Sequence, residues 1–301
     1  MAGFRADGRE LRTADFDLVI AIRKAVVENF EFFAEIYWHL QSPLAEVGFP
    51  YGNRSRNGSM QREPLNRKGA LIRICEIYAS DQGEGRLTGT PSVFVRTSGC
   101  NLRCWFCDTP FASWKPEGPH LSVEDVLAKT LALNLRHIVI TGGEPMIHRP
   151  LVALCHALRD HGKHITIETA GTVHLSLECD LISISPKLAS SAPRAETAGS
   201  WHARHQTRRE RLDVVKGLIA EHDYQLKFVV DSPSDAEEVL RYLEQFADTK
   251  VDGSRVLLMP QGTDIEGLRR QEAWLMPWCE MHALRYCPRA HILWYGNKRG
   301  T

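Results

Sequence analysis

The sequence predicts an α/β fold, a partial (open) β/α barrel of mainly parallel strands, on two observations. From residue 70 onward, short runs rich in β-branched residues alternate with longer stretches of helical periodicity, the pattern of strand-helix-strand units. Residues suited to chemistry then recur just past the ends of those runs, where parallel barrels build their active sites. No repeat of fixed period accompanies the alternation.

Taken in order, residues 16–40 carry apolar positions interrupted by Arg23, Lys24, Glu28, Glu31 and Glu35, which predicts one amphipathic helix. Residues 41–69 are rich in Asn, Arg, Ser, Gly and Pro and read as a disordered linker. Met60 lies inside it, and translation is expected to begin at or near Met60, leaving the earlier residues a dispensable extension. The chain thus divides into an N-terminal extension, 1–69, and a catalytic domain, 70–301. In the latter, strands are expected over 71–77, 92–97, 137–141, 164–168, 181–185, 225–230, 255–259 and 290–294. Ser122 with Asp125, and Ser234 with Glu237, suit helix starts of the capping-box type, and Pro150 suits the first turn of a helix reaching about His161. Residues 189–206 read as a polar surface loop, and 208–221 as a further helix.

Of 301 residues, 43% are hydrophobic and 8% aromatic, ample for a buried core, and 37 basic residues balance 37 acidic ones. A formal net charge of zero encodes no bulk attraction to nucleic acid or to a membrane surface. No apolar stretch is long enough to span a bilayer, and charges interrupt any signal-peptide pattern, so a cytoplasmic enzyme is expected.

The chemistry centres on Gly99-Cys100-Asn101-Leu102-Arg103-Cys104-Trp105-Phe106-Cys107-Asp108-Thr109. Three thiols sit close enough in sequence to share one centre, with no fourth nearby, which suggests a 4Fe-4S cluster with one iron left open. Zinc, whose structural sites close with four protein ligands, is the weaker reading. Cys75, Cys155, Cys179, Cys279 and Cys287 share no ligand spacing and read mostly as small buried hydrophobes. Four further motifs end strands on the same rim: Thr141-Gly142-Gly143-Glu144-Pro145, Glu168-Thr169, Ser185-Pro186-Lys187 and Met259-Pro260-Gln261-Gly262. The paired glycines would let the backbone approach a ligand closely.

The C-x3-C-x2-C loop, with an aromatic residue before its last cysteine, resembles the cluster loop of the radical S-adenosylmethionine superfamily. The Gly-Gly-Glu-Pro run resembles the segment that lies beside the cofactor's amino group there. Ser80-Asp81-Gln82-Gly83-Glu84-Gly85, Phe94-Val95-Arg96, Asp108-Thr109 and the tail from His291 to Thr301 extend the resemblance to the 7-carboxy-7-deazaguanine synthase family, over roughly residues 71–301. That resemblance implies a barrel of the radical S-adenosylmethionine type. It implies a lyase that contracts 6-carboxy-5,6,7,8-tetrahydropterin to 7-carboxy-7-deazaguanine with loss of ammonia, on the route to queuosine, with S-adenosylmethionine recycled. It also implies a magnesium ion, a homodimer and a reductant such as flavodoxin.

Carried over residue by residue, the resemblance puts the cluster on Cys100, Cys104 and Cys107. It puts S-adenosylmethionine at Phe106, Cys107, Asp108, Gly143, Glu144, Glu168, Ser185, Pro186, Lys187, Gln261 and Gly262. The pterin falls at Asp81, Gln82, Gly83, Glu84, Arg96, Thr141, His291 and the terminal carboxylate of Thr301, and magnesium at the Thr109 hydroxyl. Asp81 and Ala170 depart from the family pattern, the first by adding a carboxylate and the second by removing a polar contact.

Two other functions share some of these residues. A radical activase would abstract hydrogen from a glycine of a partner protein with the same cysteines, and a noncatalytic iron-sulfur module would need them alone. The Gln-Gly-Glu-Gly segment and the histidine-bearing tail favour a small pterin over the first, and the rim of cofactor-like motifs disfavours the second. His161 and His164 are expected to serve helix-end geometry, and the basic run 204–211 a solvated helix face.

Overall fold

The computed structural model describes residues 70–249 and 251–301. The helix expected over 16–40, the linker over 41–69 and the start near Met60 lie outside the described residues. Nine strands form one sheet: β1 (Leu71–Asp81), β2 (Pro91–Thr97), β3 (His120–Ser122), β4 (His137–Gly142), β5 (His164–Thr169), β6 (Leu181–Ile184), β7 (Tyr224–Val230), β8 (Val256–Pro260) and β9 (Arg285–Tyr286). Their spatial order is β3-β1-β2-β4-β5-β6-β7-β8-β9. Every neighbouring pair from β2 to β9 is parallel, while β1 pairs antiparallel with both β2 and β3. The sheet does not close on itself, as a partial barrel requires.

Among the described residues eight α-helices accompany it: α1 (Val123–Ala132), α2 (Leu151–Asp160), α3 (Ala195–Ala198), α4 (Ser200–Arg209), α5 (Leu212–Glu221), α6 (Pro233–Glu244), α7 (Ile265–Met281) and α8 (Ala290–Tyr295). Each central strand is apolar on one face, where Ile138 and Ile140 of β4, Ile165 and Ile167 of β5, and Leu226 and Phe228 of β7 are fully buried, and carries polar residues such as Thr141, Thr166 and Lys227 on the other. Leu151, Leu154, Cys155 and Leu158 supply the inward stripe of α2. Ser122 caps α1 as expected, accepting from the Asp125 N–H at 3.0 Å. Parallel register aligns Arg96 with Thr141 and Thr97 with Gly142, so the functional ends of β2 and β4 lie side by side.

Several expectations are corrected. Residues 290–294 form helix α8 rather than a strand; a short apolar run has no periodicity that separates the two, and here the Ala290 N–H donates to the Gly83 carbonyl instead of a sheet edge. Residues 189–206 are not a loop but a 3-10 turn at Ala189–Ser191 followed by α3 and most of α4. The helix expected over 208–221 begins at Leu212, with Arg208 and Arg209 closing α4. The cap of α6 is Ser232, which pairs reciprocally with Asp235, and not Ser234; Pro233 takes the first helical position. Strand β1 runs four residues past its expected end, and β3 and β9 were too short to read from the sequence. Of the five remaining cysteines, Cys155, Cys279 and Cys287 are buried, whereas Cys75 and Cys179 are only partly so.

His161 closes α2, its ring 2.8 Å from the Ala157 carbonyl. Leu154→Ala, at a fully buried site of α2, should cost about 2–5 kcal/mol, read as a lower urea midpoint with an unchanged slope.

Candidate active site

The three cysteines sit in the loop that follows β2 and line one cavity, with Phe106, Asp108, Gly143, Glu168, Ser185 and Lys187 around them. None is in a disulfide. Among the described residues no three His, Cys, Asp or Glu side chains converge on a single metal position. A 4Fe-4S cluster fits such a trio better than one ion, because it meets each thiolate at a different iron and leaves one iron for a non-protein ligand. Donors already face the sulfurs: the Leu102 N–H donates to Cys100 Sγ at 3.3 Å, and the Ser113 hydroxyl lies 3.0 Å from Cys107 Sγ. Burial pushes the Cys100 thiol up to about 12 and Cys104 to about 11, so metal must displace protons when it binds.

Gly142 and Gly143 hold this loop in place. A Cβ on Gly142, whose φ is +136°, would strike the Thr97 carbonyl, and one on Gly143 would strike the carbonyls of Gly99 and Ala112. The Glu144 N–H donates to the Gly99 carbonyl at 2.9 Å and the Gly143 N–H to Thr97 at 3.3 Å. The close approach the glycines permit is therefore to the protein's own main chain, with Gly143 also reaching the cavity. Glu144 is fully buried, accepting from the Met146 N–H, the Thr169 hydroxyl and the Ala170 N–H. Its side chain ties β4 to β5 and lines neither cavity, and Pro186, Gln261 and Gly262 also lie outside both linings.

A second cavity, of about 420 Å³, opens beside the first. All eight residues proposed from the sequence for a pterin line it: Asp81, Gln82, Gly83, Glu84, Arg96, Thr141, His291 and Thr301. Seven residues line both cavities: Glu84, Asp108, Thr109, Thr141, Gly142, Glu168 and Arg289. Tyr78 and Phe94 stack at 5.2 Å to make an aromatic wall. Arg96 donates through Nε to Glu76 (2.7 Å) and through Nη2 to the Tyr78 hydroxyl (2.7 Å), while its Nη1 has no hydrogen bond among the described residues. Burial opposes the Arg96 charge, but Tyr78 and Glu76 more than offset it and hold its pKa above the usual range. The added carboxylate of Asp81 accepts from the Tyr295 hydroxyl at 2.6 Å.

The residue pattern and the geometry agree with comparison to known proteins. The Radical SAM superfamily model matches residues 94–225. The 7-carboxy-7-deazaguanine synthase of Rhodopirellula baltica is 49% identical over 76% of this chain and 88% of its own, and that of Halobacterium salinarum 45% identical over 75% and 91%. This chain belongs to the 7-carboxy-7-deazaguanine synthase family. It is a radical S-adenosylmethionine enzyme, a lyase of 7-deazaguanine biosynthesis. The crystal structure of QueE from Escherichia coli superposes with a TM-score of 0.52 at 25% identity, over 73% of this chain and 95% of that one.

In this member of the family the structure adds residues that the sequence reading passed over. Lys227 is ion-paired with Glu84, and Arg289, 5% exposed, with Asp108, while the Arg289 Nη1 donates to the Gly262 carbonyl at 2.8 Å. Burial alone would raise the Glu84 carboxyl, but Lys227 and Arg289 hold it well below the usual range. Burial lowers His291 despite Glu84, so its ring is neutral near pH 7. A lysine inside the apolar run Leu226-Lys227-Phe228-Val229-Val230 was the available signal for an inward charge. Arg299 latches the tail, donating to Glu76 (2.8 Å) and Glu117 (3.1 Å) and lying 4.0 Å over the Phe111 ring.

His205 is also new, and it buttresses the cysteine loop. The Arg103 N–H donates to His205 Nδ1 (3.1 Å), so Nε2 carries the proton and donates to Ser191 Oγ (2.9 Å), which donates to the Leu188 carbonyl (2.6 Å). The Trp105 N–H and indole N–H reach the carbonyls of Ser191 and Ser190. Burial, with help from Arg209 and Lys187, pushes His205 from 6.5 down to about 4. Between those values the unfolded chain binds a proton that the folded chain does not, so this contribution to stability is complete above 6.5 and is lost as pH falls towards 4. His205→Gln should flatten that part of the melting-temperature profile while keeping both hydrogen bonds, and a wild-type slope in the variant would exclude His205 as the titrating group. His205→Ala, which orphans the Arg103 N–H, should lower stability by about 1–3 kcal/mol.

Proposed function

We propose that this chain contracts the ring of 6-carboxy-5,6,7,8-tetrahydropterin to 7-carboxy-7-deazaguanine with loss of ammonia. The observation that carries the reading is that two cavities share seven lining residues, one cavity lined by three free thiols and the other by all eight candidate pterin contacts. A substrate bound in the second would lie beside a cofactor held in the first. Cys100, Cys104 and Cys107 would hold the 4Fe-4S cluster, which when reduced supplies hydrogen-atom abstraction through bound S-adenosylmethionine.

The chain's own residues bind, orient and shield. Phe106, Cys107, Asp108, Gly143, Glu168, Ser185 and Lys187 line the cofactor side, with Glu144, Pro186, Gln261 and Gly262 contributing by main chain or by bracing. On the substrate side, the unengaged Nη1 of Arg96 suits the pterin carboxylate, since a guanidinium matches a carboxylate's paired oxygens. The flat ring is accommodated beside Tyr78 and Phe94. Gln82 is fixed for recognition, its Nε2 donating to Glu168 Oε1 (3.1 Å) and its Oε1 accepting from the Glu84 N–H (3.1 Å). Neutral His291 and the Thr141 hydroxyl add hydrogen bonds, and ionised Glu84 accepts from ring N–H groups. Gly83 cannot gain a Cβ without striking His291, so it keeps that wall close. Thr301 lines the pocket.

Thr109 lines both cavities, as the protein ligand of a magnesium ion shared with substrate should. Magnesium prefers six oxygens, so substrate oxygens and water complete its shell. The pocket's size, within the range for small ligands, favours a pterin over the glycine loop of a protein partner. A cytoplasmic homodimer reduced by a flavodoxin completes the reading. Among the described residues no helix is long and apolar enough to cross a membrane.

Anaerobic turnover with dithionite, S-adenosylmethionine, magnesium and the tetrahydropterin should yield 7-carboxy-7-deazaguanine by mass spectrometry. 5′-Deoxyadenosine without that product would move the search to another substrate. Cys104→Ala should abolish cluster assembly and all cofactor cleavage, and retained activity would contradict the cluster assignment. Thr109→Ala should weaken the magnesium dependence and leave the cluster intact; an unchanged metal response would remove Thr109 from the site.

A further inference from the structure

An electron that reaches the three thiols from another protein must cross the outer side of the loop that carries them. That side is built of aromatic rings and arginines. Trp105, between Cys104 and Cys107, is 50% exposed, and Trp114 is 37% exposed. Both rings are fixed: the Trp105 indole N–H donates to the Ser190 carbonyl (2.8 Å) and the Trp114 indole N–H to the Cys104 carbonyl (3.0 Å).

Beside them, three arginines gather on one ring. The Arg103 guanidinium carbon lies 4.0 Å from the Trp201 centroid and 6.0 Å from that of Trp114. Arg204 and Arg208 approach Trp201 at 5.5 and 5.9 Å. Arg103 and Arg208 donate to main-chain carbonyls of Cys100, Leu102 and Asn101, and none of the three arginines is ion-paired among the described residues. Arg204 and Arg208 are exposed. On a chain with no net charge, this is a local positive excess placed over the cysteine loop, and α4, expected to be merely solvated, is what puts it there.

We propose that this face, Trp105 and Trp114 with Arg103, Arg204 and Arg208, docks an acidic one-electron carrier protein. The carrier's carboxylates supply the anions these arginines lack, and the exposed indoles give the contact its apolar centre. Tryptophan and arginine are the residue types that dominate binding energy at protein interfaces, and opposite charge chiefly speeds encounter. Docking here brings the carrier's redox group to the outer side of the cysteines, away from the substrate cavity. The proposal rests on the reading of those cysteines as cluster ligands.

The test compares two reductants on the reconstituted holoenzyme and its Arg204→Glu/Arg208→Glu variant. With dithionite, which needs no docking surface, both proteins should keep the same iron content and the same rate of S-adenosylmethionine cleavage. With reduced flavodoxin at limiting concentration, the variant's kcat/KM for flavodoxin should fall at least about tenfold, and the parent's loss of rate with rising salt should largely disappear. Equal flavodoxin kinetics and salt dependence in the two proteins overturn the proposal. So does weakened self-association of the variant with unchanged flavodoxin kinetics, which assigns the face to a second copy. If the parent itself cleaves no cofactor with dithionite, the cluster reading falls and this proposal with it.

Discussion

Four charges meet between the two cavities, with Lys227 and Arg289 buried, Glu84 nearly so and Asp108 partly open to solvent. Lys227 of β7 pairs with Glu84 of the segment after β1, and Arg289, just before α8, pairs with Asp108 of the cysteine loop. Arg289 also lies 3.5 Å from Glu84 through Nε and bonds the loop after β8. Segments distant in sequence are thus fastened at one point. An unpaired buried charge is expensive, and removing one partner of a buried pair such as Lys227–Glu84 typically costs about 3–5 kcal/mol. Each ion therefore holds its partner's segment in position, and the cavity walls inherit that geometry.

Around this centre, main-chain contacts do what side chains cannot. The Gly142-Gly143 pair presses the end of β4 against Thr97, Gly99 and Ala112, so the cysteine loop is set by strand geometry rather than by its own flexibility. On the other side His205 and Ser191 grip the same loop through Arg103 and Trp105. Held from both sides, the loop shows its thiols to the cavity and its indoles to the outside. Preorganisation of this kind is what a cofactor that carries the hard chemistry asks of its protein.

Most strands were legible because buried parallel strands concentrate β-branched residues in short runs, as in Ile138-Val139-Ile140 and Ile165-Thr166-Ile167. The stretch 290–294 misled because five residues, four of them apolar, have no usable period, and its helix depends on a bond from Ala290 to Gly83, some two hundred residues away in the chain. Helix α4 was hidden for a related reason. Its mean character is polar, and the one fully buried residue that docks it, His205, gives no periodic signal. The eight pterin candidates were legible through short motifs, whereas Lys227 and Arg289 were not, since a single charge in an apolar or mixed stretch does not name its partner.

The sequence by itself determined the fold class, the close spacing of three thiols and the chemical family, because those rest on strand periodicity and local motifs that survive without three-dimensional context. Only the tertiary structure decided which charges meet, which glycines face main chain, that Glu144 braces rather than lines a cavity, and that the arginines of α4 lie over the cysteine loop. These are contacts between segments far apart in sequence, chosen by the cost of leaving a buried ion or N–H unpaired. That cost has no signature until the chain has folded.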